Sequence, residues 1–123
     1  MAGEAPEVIS RSSASHYVWS GVCDGWRLVN GGDLSVIEER MPPGSREQRH
    51  SHTRARQFFY VLSGVLTIER NGAVLAIAAG HGLEMPPGTP HQARNDSAAD
   101  VVFLVISAPT TAGDRIEVPQ LQL

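Results

Sequence analysis

The sequence contains no lysine, a single cysteine and no long apolar run, and each of these shortages excludes a class of protein. Cys23 has no second cysteine to pair with, so an internal disulfide and a zinc site built from several thiolates are both excluded. The ten basic residues are all arginines scattered along a chain of net charge -3, which argues against a nucleic-acid partner. No run approaches the roughly 20 apolar residues that cross a bilayer. We therefore expect no membrane partner and a cytoplasmic location.

Length and patterning predict one all-β domain. A chain of 123 residues, 41% of them hydrophobic, suits one domain with one core. Residues 1–15 carry few apolar side chains and end in a serine-rich stretch, which predicts a mobile N-terminal arm and places the domain at residues 16–123. From Trp26 onward, short apolar or alternating runs are separated by turn-forming residues, without helical periodicity.

These runs predict nine short strands, which is enough to close a barrel. The predicted strands are Trp26–Val29, Leu34–Met41, Gln48–His52, Gln57–Leu62, Val65–Arg70, Val74–Ala78, Gly82–Met85, His91–Asn95 and Val101–Ser107. Asn71-Gly72 gives the sharpest hairpin signal, because a two-residue type I′ turn needs positive φ at both positions. The continuously apolar run from Val101 to Ile106 predicts a strand covered on both faces, by the barrel or by a partner.

The pair His50 and His52 is the first candidate for a functional site. Successive side chains of a strand alternate between its faces, so residues two apart point the same way. The two imidazoles should therefore converge. The same parity places Arg46 and Gln48 beside them as candidate residues of a substrate pocket.

The following strands supply further candidates for the same pocket. Gln57 begins the next predicted strand and shares its face with Phe59, which would then wall the cavity. Phe103 is another pocket candidate, although both faces of its strand are apolar and parity leaves its direction open.

His91 is the third candidate histidine, and it follows a proline-rich segment. It follows Pro86-Pro87-Gly88-Thr89-Pro90, whose prolines hold the approach to the next strand in one conformation. Imidazole is the commonest protein ligand for divalent transition metals near neutral pH, so three histidines so placed predict a metal site. Taken alone, His50 and His52 fit better as two surface histidines on a polar loop. His81, between two glycines, is expected to be exposed and not a ligand.

At these positions the chain resembles the cupin family, in its small single-domain form with one conserved barrel. The first cupin motif is matched in order by Gly44, His50, His52, Gln57 and Gly64. Its only departure is glutamine where the family pattern has glutamate. The second motif is matched at every position by Gly80, Pro86, Gly88, His91 and Asn95. The two motifs and the segment between them span residues 44–95.

The resemblance implies a jelly-roll β-barrel, often a homodimer, with one divalent transition metal per chain held by His50, His52, His91 and Gln57. Iron, manganese, nickel, zinc and copper all suit such ligands. An amide oxygen can ligate but carries no charge, so a divalent ion keeps a formal charge that glutamate would have reduced. We therefore expect the site to attract anionic oxygen ligands more strongly than a carboxylate-bearing relative does.

Two functions are compatible with this site. The first is a metal-dependent enzyme acting on a small oxygen-bearing organic molecule, for which the resemblance implies dioxygenase-, isomerase- or lyase-like chemistry. The sequence shows no dedicated acid or base at the site, which favours reactions such as dioxygen insertion. The second is a non-catalytic module that binds or senses a small ligand, which it would release unchanged. Fold resemblance alone does not decide between the two.

Overall fold

The structure is a computed structural model that describes residues 8–121, and within that range it consists of β-strands, turns and loops. No helix capable of crossing a membrane occurs among these residues. The strands are β1 (Ser15–Trp19), β2 (Cys23–Asn30), β3 (Ser35–Met41), β4 (His50–Ser51), β5 (Arg56–Ser63), β6 (Val65–Arg70), β7 (Ala73–Ala78), β8 (Gly82–Met85), β9 (His91–Arg94), β10 (Val101–Ala108) and β11 (Ile116–Glu117).

The strands form two antiparallel sheets. One sheet has six strands in the order β1-β2-β3-β10-β5-β8, and the other has five in the order β11-β4-β9-β6-β7. Both sheets contribute apolar side chains to one buried core, whose members include Met41, Phe59, Val61, Leu66, Ile68, Ala93 and Phe103. Two sheets around a single core make an all-β jelly-roll barrel, and this confirms the predicted fold class.

All nine predicted strands are present, and β6 and β8 have the predicted bounds. The strand predicted at Gln48–His52 is shortened to His50–Ser51, because residues 47–49 make no ladder pairing, and the strand predicted at Trp26–Val29 extends over Cys23–Asn30. The sequence analysis missed two strands, β1 and β11. Ser15, assigned to the N-terminal arm, is the first residue of β1 and pairs with Arg27 of β2. Residues 1–7 of that arm lie outside the described residues.

The hairpin between β6 and β7 turns at Asn71-Gly72, as predicted. Asn71 has φ 50° and Gly72 has φ 94°, and the flanking residues Arg70 and Ala73 are register partners. The two positive φ angles are those that a two-residue type I′ turn requires.

Strand β10 lies between β3 and β5 in the six-stranded sheet. Its inner side chains, which include Val101, Phe103 and Val105, are buried, whereas Val102, Leu104 and Ile106 on the outer side are only half-buried. Within a single chain, the barrel therefore covers the inner face of β10 but not its outer face. The prediction that both faces are covered holds for the inner face only. The outer face remains an apolar surface.

Candidate metal centre and cavity

Three imidazoles meet inside the barrel. His50 in β4 and His91 at the start of β9 are register partners, and their ring centroids are 4.5 Å apart. The ring of His52 lies 4.8 Å from that of His50 and 5.7 Å from that of His91. One nitrogen from each ring falls within 4.8 Å of the others, and all three residues are buried. Among the described residues, these three histidines could hold a metal ion.

The ring orientations are fixed by the backbone. Nδ1 of each imidazole lies at hydrogen-bonding distance from a carbonyl oxygen: 2.7 Å for His50 to Gln48, 2.6 Å for His52 to Asp114, and 2.9 Å for His91 to Thr89. A carbonyl oxygen only accepts, so Nδ1 carries the proton and donates in each case. Nε2 of each ring is therefore the atom with a free lone pair. A metal ion bound by these rings would therefore be ligated through Nε2.

Burial also keeps these rings uncharged. It lowers the pKa of His50 to about 3 and that of His91 to about 4, and it lowers the pKa of His52 as well. Neutral imidazoles at pH 7 are ready to bind a cation without first losing a proton.

Gln57 in β5 completes the set predicted from the sequence. Its Nε2 donates to Oγ of Ser107 at 3.2 Å. Its Oε1 and the Nε2 of His91 are the two buried side-chain atoms that lack a hydrogen-bond partner within residues 8–121. Leaving a buried polar atom unpaired is costly, and a bound cation would satisfy both atoms at once. The donor set of three imidazoles and one amide oxygen therefore fits a divalent transition metal.

The proline-rich loop before β9 holds two of the ligands together. Gly88 N–H donates to the carbonyl oxygen of His52 at 2.6 Å, and the next residue, Thr89, accepts from His91. The loop thus ties both histidines to one stretch of backbone. His81, in contrast, is exposed and does not belong to the cluster.

Asp114, from the segment between β10 and β11, anchors the chain around His52. Its carboxylate accepts from the backbone N–H groups of Thr53, Arg54 and Ala55 at 2.8 to 2.9 Å, while its carbonyl accepts from His52. Burial opposes ionisation of this group, but the three N–H donors outweigh it and hold the pKa of Asp114 below its ordinary value. Asp114 is thus a positioning residue for His52.

An Asp114→Asn variant should bind divalent metal about tenfold to a hundredfold more weakly, because partners of metal-ligating histidines contribute on that scale. The asparagine side chain has one acceptor oxygen fewer for the N–H groups of residues 53–55. The backbone of residue 114, whose carbonyl oxygen orients His52, is then held less firmly. Titration calorimetry with Zn²⁺ measures the change. The control is Asp96→Asn, since Asp96 is paired with Arg94 on the surface. Equal zinc affinity in wild type and Asp114→Asn would contradict the anchoring role.

A cavity of about 180 Å³ opens beside the histidines. Its walls come from both sheets and from the segment that follows β10, and they comprise Tyr17, Trp19, Ile37, Glu39, Glu47, His50, His52, Gln57, Phe59, Val105, Ser107, Thr111 and Arg115. Phe59 is where parity placed it. Phe103 points into the barrel but belongs to the apolar core, where it packs against Phe59 with 6.3 Å between ring centroids.

Arg46 and Gln48 do not reach this cavity, contrary to the parity argument. Both are exposed, and Nε2 of Gln48 donates outside the barrel to the carbonyl oxygen of Val118. The alternation slips by one residue across the irregular stretch 47–49, so Glu47 faces the cavity instead. Parity holds only along a regular strand.

Four ionisable side chains of the cavity were missed by the sequence analysis: Tyr17, Glu39, Glu47 and Arg115. One signal for Glu39 was present, because it alternates with Ile37 and buried Met41 on one face of β3. Tyr17 lies in the unpredicted strand β1, and Arg115 comes from the C-terminal segment. No local pattern connects either residue to the histidines.

The two carboxyl groups differ in how firmly they are held. Oε2 of Glu47 accepts from Ala93 N–H at 2.8 Å and lies 3.9 Å from Nδ1 of His50. Within residues 8–121, the Glu39 carboxyl group has one hydrogen bond, a long one of 3.3 Å from the Tyr17 hydroxyl. Burial and then the charge of Glu47 raise the pKa of Glu39 to about 8. A carboxyl group is thus available at the site, although the sequence had indicated none.

The chain is similar in sequence to a known protein family and to a curated protein. The model of the family described as "Cupin domain" matches residues 37–107, which include all four candidate ligands. Among curated proteins, the polyketide synthase CurC of Streptomyces cyaneus is 35% identical over 65 residues, equal to 51% of this chain and 42% of that protein. The chain thus spans less than half the length of that relative.

Solved structures share the fold. A protein with a double-stranded β-helix domain from Klebsiella pneumoniae superposes with a TM-score of 0.78 at 22% identity, over 94% of this chain and all of that one. A sugar phosphate isomerase of the cupin superfamily from Silicibacter pomeroyi superposes with a TM-score of 0.74 at 22% identity, over 85% of this chain and 76% of that one. A predicted oxalate decarboxylase from Thermotoga maritima superposes with a TM-score of 0.76 at 21% identity, over 85% of this chain and all of that one.

Proposed function

The chain belongs to the cupin family, and from that premise we propose that it is a metal-dependent enzyme acting on a small oxygen-bearing organic molecule. One divalent ion per chain, of iron, manganese, nickel, zinc or copper, would be held by Nε2 of His50, His52 and His91 and by Oε1 of Gln57. The two unpaired buried atoms, on Gln57 and His91, support this ligand set. When bound, such an ion supplies Lewis-acid polarisation of a substrate carbonyl or hydroxyl oxygen.

The reaction class we propose is proton transfer next to a carbonyl, as in an isomerase or a lyase. The observation that carries this choice is the carboxyl group of Glu39, which lines the same cavity as His50, His52 and Gln57. A general base must reach the proton that it removes, and a carboxyl with a raised pKa is well suited to exchanging one near neutral pH. The weak hydrogen bond from Tyr17 leaves Glu39 free to do so.

In this scheme, an oxygen of Glu39 removes a proton from the carbon adjacent to the substrate carbonyl, and the C–H electron pair moves toward the carbonyl oxygen. The Tyr17 hydroxyl donates a long hydrogen bond to the same carboxyl group. With a hydroxyketone, Glu39 returns the proton to the former carbonyl carbon while the hydroxyl proton passes to the former carbonyl oxygen, which gives the isomer. With a leaving group on the β carbon, the electron pair returns from the oxygen to form the C=C bond, the bond to the leaving group breaks, and the group departs with the proton held by Glu39, which gives the unsaturated product. Phe59, Ile37 and Val105 line the cavity and limit the entry of water.

Exchange of substrate hydrogen with solvent deuterium tests the proposal. Protein loaded with each of the five metals is incubated in D₂O with hydroxyketones, β-diketones and keto acids, and the recovered compounds are analysed by mass spectrometry. We expect deuterium at the carbon next to the carbonyl, or conversion to an isomer or elimination product. An oxygen electrode runs in parallel. Oxygen uptake without exchange would identify a dioxygenase, and retention of an unchanged ligand would identify a binding module; either result overturns the proposal.

The outer face of the six-stranded sheet supports a second proposal, that two copies of the chain form a homodimer. Phe58, Tyr60 and Leu62 of β5 expose 36 to 44% of their surface, and they continue the half-buried outer side chains of β10. Phe58 and Tyr60 also stack with their ring centroids 6.3 Å apart. An exposed apolar patch of this kind is typical of an interaction site, and self-association covers it in both copies.

A Tyr60→Glu variant should shift the protein from dimer to monomer, because it buries a charge in the centre of that apolar contact. Light scattering coupled to gel filtration measures the mass. Val74→Glu is the matched control, since Val74 is exposed on the other sheet. A monomeric wild type, or a Tyr60→Glu variant that stays dimeric, would contradict this interface.

A further inference from the structure

Arg115 is the one arginine among the residues that line the cavity. Its single hydrogen bond in the described part of the chain runs from Nη2 to the carbonyl oxygen of Gln48, at 3.3 Å. Within residues 8–121, no carboxylate oxygen lies within ion-pairing distance of its guanidinium, although six pairs between other arginines and carboxylates are present. Most of its N–H donors are therefore free to meet a ligand.

The backbone of Arg115 is fixed relative to the histidines. The residue before it, Asp114, is bound to the bend at residues 53–55 and to the ring of His52. The residue after it, Ile116, is the register partner of Ser51 in β4. Arg115 is an exposed residue, and these attachments on both sides hold its backbone where the side chain lines the cavity.

Arg115 determines the net charge of the cavity when a metal ion is bound. The histidines and Gln57 are neutral, and a divalent ion would balance Glu39 and Glu47 if both were ionised. Arg115 then leaves the cavity with a net positive charge. An anionic ligand is therefore favoured once metal is bound.

We propose that Arg115 binds a carboxylate group of the substrate, so the substrate class is small keto or hydroxy acids. The assignment rests on the proposed function above and narrows it. A guanidinium presents paired N–H donors that match the two oxygens of a carboxylate. The cavity volume of about 180 Å³ corresponds to about six water molecules, which suits an acid of a few carbon atoms.

Calorimetric binding of matched probes tests this assignment. Wild type, Arg115→Gln and Arg115→Lys are saturated with Zn²⁺ and titrated with pyruvate and acetoacetate, and separately with their neutral amides. We expect wild type to prefer the acids and Arg115→Gln to bind them about tenfold to a hundredfold more weakly, with the amides unaffected. Arg115→Lys should fall between the two, because it keeps the charge but loses the paired donors. Arg46→Gln removes the same charge outside the cavity and should behave as wild type.

Three results would overturn the assignment. They are equal acid binding by wild type and Arg115→Gln, no preference of wild type for either acid over its amide, or Arg115-dependent binding of inorganic phosphate that is tighter than that of both acids. The deuterium-exchange assay is independent of these titrations. Exchange with an Arg115-independent ligand would leave the proposed function standing, and Arg115-dependent binding without exchange would leave only the carboxylate site.

Discussion

A His91→Ala variant is expected to lose the thermal stabilisation that a divalent metal gives the wild-type protein. A ligand that binds only the folded state, present at about a hundred times its dissociation constant, adds about 2.7 kcal/mol to stability. For a domain of this size, that gain raises the melting temperature by about 10 °C. His91 is 1% exposed and its Nε2 lacks a protein partner, so its removal takes away a ligand from the centre of the site.

Differential scanning fluorimetry with and without Zn²⁺, Mn²⁺ and Ni²⁺ measures this effect. The comparison is made within each variant, because His91→Ala also opens a cavity in the core and lowers the metal-free melting temperature. His81→Ala is the matched control, since His81 is exposed and lies outside the cluster. A metal-induced shift in His91→Ala as large as that in wild type would show that metal binds elsewhere.

A Glu39→Gln variant is expected to exchange substrate hydrogen with solvent about 10² to 10⁴ times more slowly than wild type, the usual contribution of a general acid or base. Glutamine has nearly the same shape and keeps a carbonyl oxygen for the Tyr17 hydroxyl, but it cannot take up the proton. Metal affinity should change much less than the exchange rate, because Glu39 is not among the candidate ligands. Initial rates of deuterium incorporation and zinc calorimetry separate the two quantities.

Glu38→Gln is the control for this variant. Glu38 is the neighbouring residue of the same strand and pairs outside the barrel with Arg11, so its change alters the same charge without reaching the cavity. If Glu39→Gln exchanges hydrogen at the wild-type rate, Glu39 is not the base. In that case Glu47, which is held by Ala93 N–H, would be the remaining carboxyl in the cavity.

The barrel was predictable because strand alternation and turn residues are local patterns, and the imidazole cluster was predictable through the two motifs that the chain shares with the cupin family. Alternation within β5 placed Gln57 and Phe59 on one face, and the turn at Asn71-Gly72 fixed a hairpin register that the structure reproduces. Gly64, a motif glycine, has φ 80°, and a Cβ there would lie 2.4 Å from the carbonyl oxygen of Asp100. Such backbone requirements are visible in the sequence since only glycine meets them.

The rest of the site depends on contacts between distant segments. The carbonyl of Asp114 orients His52 across 62 positions of sequence, and Arg115, the next residue, lines the cavity. The inference about Arg46 and Gln48 was wrong for a different reason, namely that residues 47–49 are not a regular strand. A sequence pattern shows which residues share a face within one element, but not which segment crosses the mouth of a cavity.

The central claim is that one metal ion is held by three Nε2 atoms and an amide oxygen inside the barrel. A crystal structure of the protein grown with Zn²⁺, with diffraction recorded on both sides of the zinc absorption edge, tests it most directly. The account predicts one anomalous peak per chain in contact with Nε2 of His50, His52 and His91 and with Oε1 of Gln57, while each Nδ1 keeps its carbonyl partner. A peak bound through Nδ1 atoms, a peak outside this cluster, or no peak in the barrel would contradict it.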